Sequence, residues 1–259
     1  DQKVRVQGFE KIEKPFTDYF DLAISNIPFG DVAVFDPEFT GSQDPARRSA
    51  PKAIHNYFFL KSLDAVREGG IVAFITSQGV MDSDSNMSIR AEMLARANQV
   101  SAIRLPNNLF TENANTEVGS DLIVLQKNSG KGEPTEDELR FVTSRIDPLS
   151  GVRANDYFSR HSSRIVFTDY KTDTDPYGKP ARVFTHSGGM EGIASDLYKF
   201  LSDDFSRRLD LQRFKGIKAE EQQENPQSVS VKPTAKQSEE EQITLVSRAE
   251  ETKDVVQPQ

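Results

Sequence analysis

Five consecutive apolar residues, Ile71-Val-Ala-Phe-Ile75, follow directly on Gly69-Gly70. An unbroken run of that length suits a strand buried on both faces, as in a parallel sheet covered by helices. The segment before it supports the pairing. Across residues 53–67, Ile54, Tyr57, Phe58, Leu60, Leu63 and Val66 fall mostly at i, i+3, i+4 spacings. Pro51 stands near the start of this predicted helix and the two glycines at its end. Residues 21–25, 100–105 and 121–126 read as further strands, residues 88–97 as a second helix and residues 4–7 as a shorter strand. Strands and helices alternating at this spacing predict an α/β domain over residues 1–130.

Beyond Lys127 the pattern changes. Residues 139–143, 164–168 and 182–184 are short strand candidates among turn residues. Residues 190–211 read as a helix with Ile193, Leu197, Phe200, Leu201 and Phe205 on one side. A small α+β extension over residues 131–215 is expected. Residues 216–259 differ in kind. They carry 5 Lys+Arg against 9 Asp+Glu and hold none of the chain's 17 Phe and 6 Tyr. Such a segment cannot bury enough apolar area to offset chain entropy, so it is expected to be a disordered acidic tail.

Composition excludes several chemistries. The absence of Cys removes disulfide scaffolds, Cys-ligated metals and thiol catalysis. His55, His161 and His186 are far apart and no pair has i, i+4 spacing, so no metal site is expected. No apolar run approaches the roughly 18 residues that cross a bilayer, so neither a membrane partner nor a membrane location is expected and the cytoplasm is the default. The net charge of -8 argues against simple non-specific nucleic-acid binding.

The segment Ser25-Asn26-Ile27-Pro28-Phe29-Gly30 carries chemistry. It ends a predicted strand abruptly, and ligands of open α/β sheets bind at the carboxyl ends of strands. Asn26 offers a carbonyl acceptor, and Pro28 stiffens the backbone so that the carbonyl of Ile27 is a second, fixed one. Two acceptors can hold both protons of an exocyclic amine. The ring of Phe29 can stack on the base that bears it. Holding the amine so orients its lone pair toward an electrophilic methyl group, which is catalysis by positioning.

This segment resembles the catalytic motif of amino-group DNA methyltransferases, (D/N/S)-P-P-(Y/F/W), with Ile27 in place of the commoner first Pro. The flanks extend the likeness. Gln7-Gly-Phe-Glu-Lys11 resembles the strand and loop beneath the adenine of S-adenosylmethionine, which implies Gly8, Phe9 and Glu10 as cofactor contacts. His55-Asn-Tyr-Phe-Phe59, Gly69-Gly-Ile-Val-Ala-Phe-Ile-Thr-Ser77, Ala102-Ile-Arg-Leu-Pro-Asn107 and Thr116-Glu-Val-Gly-Ser-Asp-Leu-Ile-Val-Leu-Gln126 follow in the family's order. The segments Thr172-Asp-Thr-Asp-Pro-Tyr-Gly-Lys-Pro180 and Gly188-Gly continue it. The chain is most similar to a subgroup of N6-adenine methylases joined to helicase-like regions in large proteins of phages, plasmids and conjugative elements. The implied fold is the later part of a Rossmann-like methyltransferase sheet with helices on both faces.

The resemblance implies methyl transfer from S-adenosylmethionine to a flipped adenine, with Asn26, Ile27, Pro28 and Phe29 as the catalytic group. It also exposes a departure. The family's Gly-rich cofactor loop should precede the motif, yet only 25 residues precede Asn26 and they contain one glycine, Gly8. A fragment of a longer protein is therefore expected, with the upstream methylase segment, helicase-like domains and DNA as partners. Arg104, Asn107 and Asn108, near predicted strand ends, are the candidate DNA contacts. Lys127, Arg207, Arg208 and Arg213 are weighed beside them, with a solvated helix face as the plainer account of the last three. Two alternatives stay open. One is a non-catalytic or split methylase remnant acting as a scaffold. The other is an enzyme acting on RNA or a protein glutamine, because the Asn-x-Pro-aromatic geometry serves any planar nitrogen nucleophile.

Overall fold

A computed structural model describes residues 6–12, 14–30, 32–111, 118–174 and 178–216. The expected acidic tail lies outside the described residues, Gly216 apart. The strands of the described residues are β1 (Phe20–Asn26), β2 (Val66–Ser77), β3 (Ala97–Leu105), β4 (Ser120–Lys127), β5 (Ser144–Ile146), β6 (Arg153–Asn155), β7 (Asp169–Thr174) and β8 (Pro180–Thr185). The helices are α1 (Pro37–Thr40), α2 (Pro45–Ser49), α3 (Ile54–Ala65), α4 (Gly79–Asp82), α5 (Met87–Arg96), α6 (Glu136–Val142), α7 (Asp156–Arg160), α8 (Gly189–Arg208) and α9 (Leu211–Phe214).

The first four strands form one sheet in the order β1-β2-β4-β3. β1 runs parallel to β2, whereas β4 runs antiparallel to both β2 and β3. The parallel environment expected for residues 71–75 is therefore correct on one side only, and the sheet is mixed. Alternation along the strands divides the core between its two faces. Val72, Phe74, Ile123 and Leu125 pack with Tyr57, Phe59, Leu60 and Leu63 of α3 and with Ile89 and Met93 of α5. On the other face Ile75, Ile103, Leu105 and Leu122 meet Ile193, Leu197, Phe200 and Leu201 of α8. The fold is α/β with helices on both faces, as expected.

Helix α8 packs over β3, β4 and Ile75 of β2. On β1, Leu22 is 50% exposed and Ile24 74% exposed. Among the described residues no strand pairs with the outer edge of β1.

Several expectations need correction. Gly69-Gly70 does not stop a helix. α3 ends at Ala65, and both glycines lie inside β2. Gly69 has φ +75°, and a side chain there would come within 2.2 Å of the Arg213 carbonyl oxygen. The glycine admits the close approach of a distant turn. Residues 139–143, expected as a strand, lie mostly in helix α6, which a capping box between Thr135 and Glu138 initiates. Residues 164–168 form no strand. A 3-10 turn over Ser162–Arg164 leads into a single parallel bridge between Ile165 and Arg104. The helix expected over residues 190–211 ends at Arg208, and α9 follows as a separate turn. Val6 and Gln7 lie in no strand, and Val4 is outside the described residues. Gly188-Gly189 opens α8, with the Gly188 N–H donating to His186 Nδ1 at 3.0 Å.

Asp204 of α8 is fully buried. It pairs with Arg164 at 2.8 Å and accepts from Ser101 Oγ at 2.7 Å, tying α8 to β3.

Candidate active site

The Asn26 segment leaves β1 beside the carboxyl end of β2, where Asn26 is the register partner of Ile75. The Ile27 N–H donates to the Ile75 carbonyl at 3.0 Å, and the Ile27 side chain is fully buried in the α3 core. A proline could make neither contact, because it lacks the N–H and fills less volume. The departure from the commoner motif thus anchors the loop by a hydrogen bond and a core side chain instead of by ring stiffness. Asn26 and Pro28 are exposed. Gly30 has φ +145°, a conformation that L side chains rarely adopt, so the turn after Phe29 uses a glycine for a steric reason.

Phe29 stands 36% exposed between two rings. His55 of α3 lies 5.9 Å away, tilted by 48°, and Phe110 lies 5.8 Å away, edge-on at 63°. His55 is buried and its Nδ1 lies 2.8 Å from Thr76 Oγ1, one residue beyond Ile75. Strand β2 therefore braces the loop twice, once through its backbone and once through a histidine on the neighbouring helix. Nothing local in the sequence marks the partnership of His55 with Phe29.

One turn further along α3, Phe58 stacks on Phe9 at 4.5 Å with 28° between the planes. Tyr57 meets the edge of Phe9 at 6.3 Å. The Gly8–Glu10 turn and the Asn26 loop thus rest on successive turns of one helix. Tyr57 is a core residue. Its hydroxyl donates to Asp36 Oδ2 at 2.7 Å, and Lys61 Nζ reaches the same oxygen at 3.2 Å. Burial alone would raise the Asp36 pKa, but these two donors hold the carboxylate below its ordinary range. Burial and the hydrogen bond to Asp36 push the Tyr57 phenol above its ordinary value. Asp36 caps α1 through the Glu38 N–H, so the cluster ties the chain after the motif to α3.

The candidate DNA contacts are engaged elsewhere. Arg104 is buried, with two bonds to Asp121 at 2.9 and 3.0 Å and one to Asp82 at 2.9 Å. Burial would lower its pKa, yet these two carboxylates raise it. The guanidinium is an internal strut, and its lack of exposure leaves no path to a phosphate. Asn107 accepts from the Phe184 N–H at 3.0 Å, and Asn108 exchanges two hydrogen bonds with the His186 backbone. Both asparagines fasten β8 and the start of α8 to the end of β3. Lys127 is also buried, donating to the carbonyls of Leu63 and Val66 and to Asp18. Arg208 is bound to Asp137 at 2.7 Å and Arg207 to Asp203. Among the described residues, no group of three or more His, Asp or Glu is placed to hold a metal, and no helix is long and apolar enough to cross a membrane.

Fold and loop together define an α/β protein that presents an Asn-x-Pro-aromatic turn at the carboxyl end of a parallel edge strand. The family model described as N-6 DNA Methylase matches residues 3–201, and the chain belongs to that family. It is also similar to the Defense against restriction protein B of Escherichia phage P1, 25% identical over 133 residues, which is 49% of this chain and 5% of the phage protein. Among solved structures it resembles a putative class I S-adenosylmethionine-dependent methyltransferase from Listeria monocytogenes, with 18% identity, a TM-score of 0.36, and coverage of 46% of this chain and 35% of that one. A type I restriction-modification methyltransferase subunit from Streptococcus thermophilus shows 20% identity and a TM-score of 0.35, over 77% of this chain and 40% of that one. The chain spans well under half the length of each of these proteins.

Proposed function

We propose that this chain carries the catalytic and target-side part of a DNA adenine-N6 methyltransferase. The observation that carries this reading is the braced loop, with an exposed Asn26 on a turn pinned to β2 and a ring, Phe29, held between His55 and Phe110. Asn26 Oδ1 and the Ile27 carbonyl accept the two amine protons of a target adenine flipped out of the duplex. Phe29 stacks on its ring, and Pro28 restricts the backbone between them. A held amine directs its lone pair out of the base plane, toward the methyl donor.

The methyl group would be supplied by S-adenosylmethionine. Gly8, Phe9 and Glu10 would hold part of it, and they fit that task in kind. Phe9 is a ring fixed by Phe58 of α3, the helix that also carries the Phe29 brace, and Glu10 brings a carboxylate beside Gly8. The described residues hold no Gly-rich turn after a strand, so the remaining contacts are assigned to further methylase sequence as a partner. The outer edge of β1, which no described strand pairs, and the exposed Leu22 and Ile24 support that assignment, because such an edge with an apolar face favours an added strand and a covering helix.

The test is adenine-N6 methylation of DNA, read by mass spectrometry of digested nucleosides from cells expressing the full coding sequence. Methylation that persists in the Asn26→Ala, Phe29→Ala double variant would sink the assignment.

A further inference from the structure

Strands β5 and β6 form a hairpin closed by the turn Asp147-Pro-Leu-Ser-Gly151. The turn is tied to itself. The Asp147 N–H donates to the Val152 carbonyl at 2.9 Å, and the Gly151 N–H donates to the Asp147 carbonyl at 2.8 Å. Asp147 Oδ1 accepts from the Leu149 N–H at 2.8 Å. This locked turn holds Leu149 97% exposed, with Pro148 exposed beside it and Ile146 54% exposed on the strand below. Apolar side chains left in water add little to folding, so the stability of the chain does not account for the arrangement.

The hairpin is fastened at the Asn26 end of the sheet. At its base the Asn155 N–H donates to Asp82 Oδ1 and Asn155 Nδ2 to the Met81 carbonyl, both at 2.9 Å. Both acceptors belong to α4, which follows the carboxyl end of β2, next to Asn26. At its tip Arg182 of β8 lies 3.7 Å from Asp147. Strand β8 is pinned through Phe184 to Asn107, in the same short turn as the Phe110 that borders Phe29.

Charge is placed behind the tip. Arg153 is the cross-strand partner of Ile146 and shares its face of the ribbon, and Arg145 lies on the opposite face with its side chain 80% exposed. Asp84 and Asp156 pair with them at 3.4 and 2.9 Å, yet both arginines stay accessible. The hairpin holds two Arg against one Asp in a chain of net charge -8. That carboxylate, Asp147, is turned onto backbone N–H groups.

We propose that this hairpin is a DNA wedge. Leu149 enters the base stack beside the target adenine, and Arg145 and Arg153 take phosphates on either side of it. Proteins that kink or open a duplex insert apolar side chains such as Leu, Ile and Pro between base steps, and a locked tip loses little entropy on entry. The proposal rests on the adenine-methyltransferase reading and adds to it the group that helps to extrude the base.

The test uses protein from the full coding sequence and duplexes taken from sites methylated in cells that express it. Leu149→Ala should slow methylation of a paired duplex at least about tenfold while Tm shifts by no more than about 2 °C, because the side chain already lies in water. On a duplex whose target adenine faces an abasic site, little pairing remains to be broken, and the variant should come within about threefold of the parent. Leu149→Met keeps an apolar wedge and should stay within about threefold of the parent on the paired duplex. The proposal is overturned if Leu149→Ala methylates the paired duplex at the parental rate. It is also overturned if that variant is equally slow on the abasic duplex, as the loss of a protein contact would leave it. Failure of the underlying reading is distinct: the Asn26→Ala, Phe29→Ala double variant then still methylates, and both conclusions fall.

Discussion

His55 Nδ1 and Thr76 Oγ1 lie 2.8 Å apart, joining the start of α3 to the end of β2 directly behind Phe29. The pair fixes the plane of the imidazole, and the imidazole bounds one side of the aromatic that would stack on the target base. Thr76→Val keeps the shape and removes the hydrogen bond, a loss of about 1 kcal/mol. If that loss falls on the transition state, kcat decreases about fivefold. The discriminating measurement is fluorescence of DNA carrying 2-aminopurine at the target position. The variant should change the quenching of the extruded base while its melting temperature shifts by only a few degrees.

Ile27 offers a sharper test of the loop. Ile27→Pro restores the commoner motif residue, yet here it deletes the donor to Ile75 and shrinks a fully buried side chain. The expected outcome is a loss of about 2 kcal/mol, visible as a lower urea midpoint at unchanged slope. A midpoint equal to or above the parent's would show that ring stiffness outweighs the anchor.

Arg104 should matter for folding and not for DNA affinity. Arg104→Ala strands Asp121, whose relative exposure is 0%, and breaking such a buried pair costs about 3–5 kcal/mol. Denaturation of the variant checks the size. DNA binding by whatever fraction stays folded should match the parent's.

Asp64 gives a pH dependence with a defined sign. Burial would raise its pKa, but hydrogen bonds from Arg47 and the charge of Arg96 overcome that and hold it below the ordinary range. A carboxylate depressed in the folded state contributes stability that is complete above its unfolded value, about 3.9, and is lost as pH falls through the folded value. Urea midpoints measured between pH 7 and pH 3 should therefore fall at the acidic end. Asp64→Asn should be less stable than the parent at pH 7 and should lose less on acidification.

The exposed face of β1 predicts a different behaviour. Replacing Leu22 and Ile24 by Thr should change the chain's own stability by no more than about 0.5 kcal/mol per site, because both side chains already face solvent. The same change should abolish co-purification with the additional methylase sequence proposed to complete the sheet. Undiminished association would place that partner elsewhere.

Much of the central sheet was legible because its strands are apolar runs between turn signals, and because α3 repeats its apolar residues at helical spacing. Residues 139–143 were misread for a physical reason: three apolar side chains in five positions satisfy either period, and the deciding Thr135–Glu138 capping box lies upstream of the run. The mixed strand directions could not be read either, since burial on both faces does not reveal which way a neighbour runs. The turn that ends β1 at Asn26 was legible because its signals are local. The fates of Arg104, Asn107, Asn108 and Asp204 were not, because each is decided by a partner far along the chain. A charge on a strand or helix reads the same whether it meets water or a buried counter-ion such as Asp121 or Arg164.

Gly69 shows what such long-range contact does to the meaning of a glycine. The turn ending at Phe214 is stitched to β2, with Gln126 Nε2 donating to the carbonyls of both Gly69 and Asp210 and Arg67 donating to that of Phe214. A side chain at Gly69 would push this turn away and unsettle the strand that braces the Asn26 loop from its far end. In a saturation mutagenesis screen Gly69 would score as intolerant as a residue that touches substrate. A ranking of positions by mutational sensitivity would then draw the boundary of the active site around a seam that only keeps β2 straight.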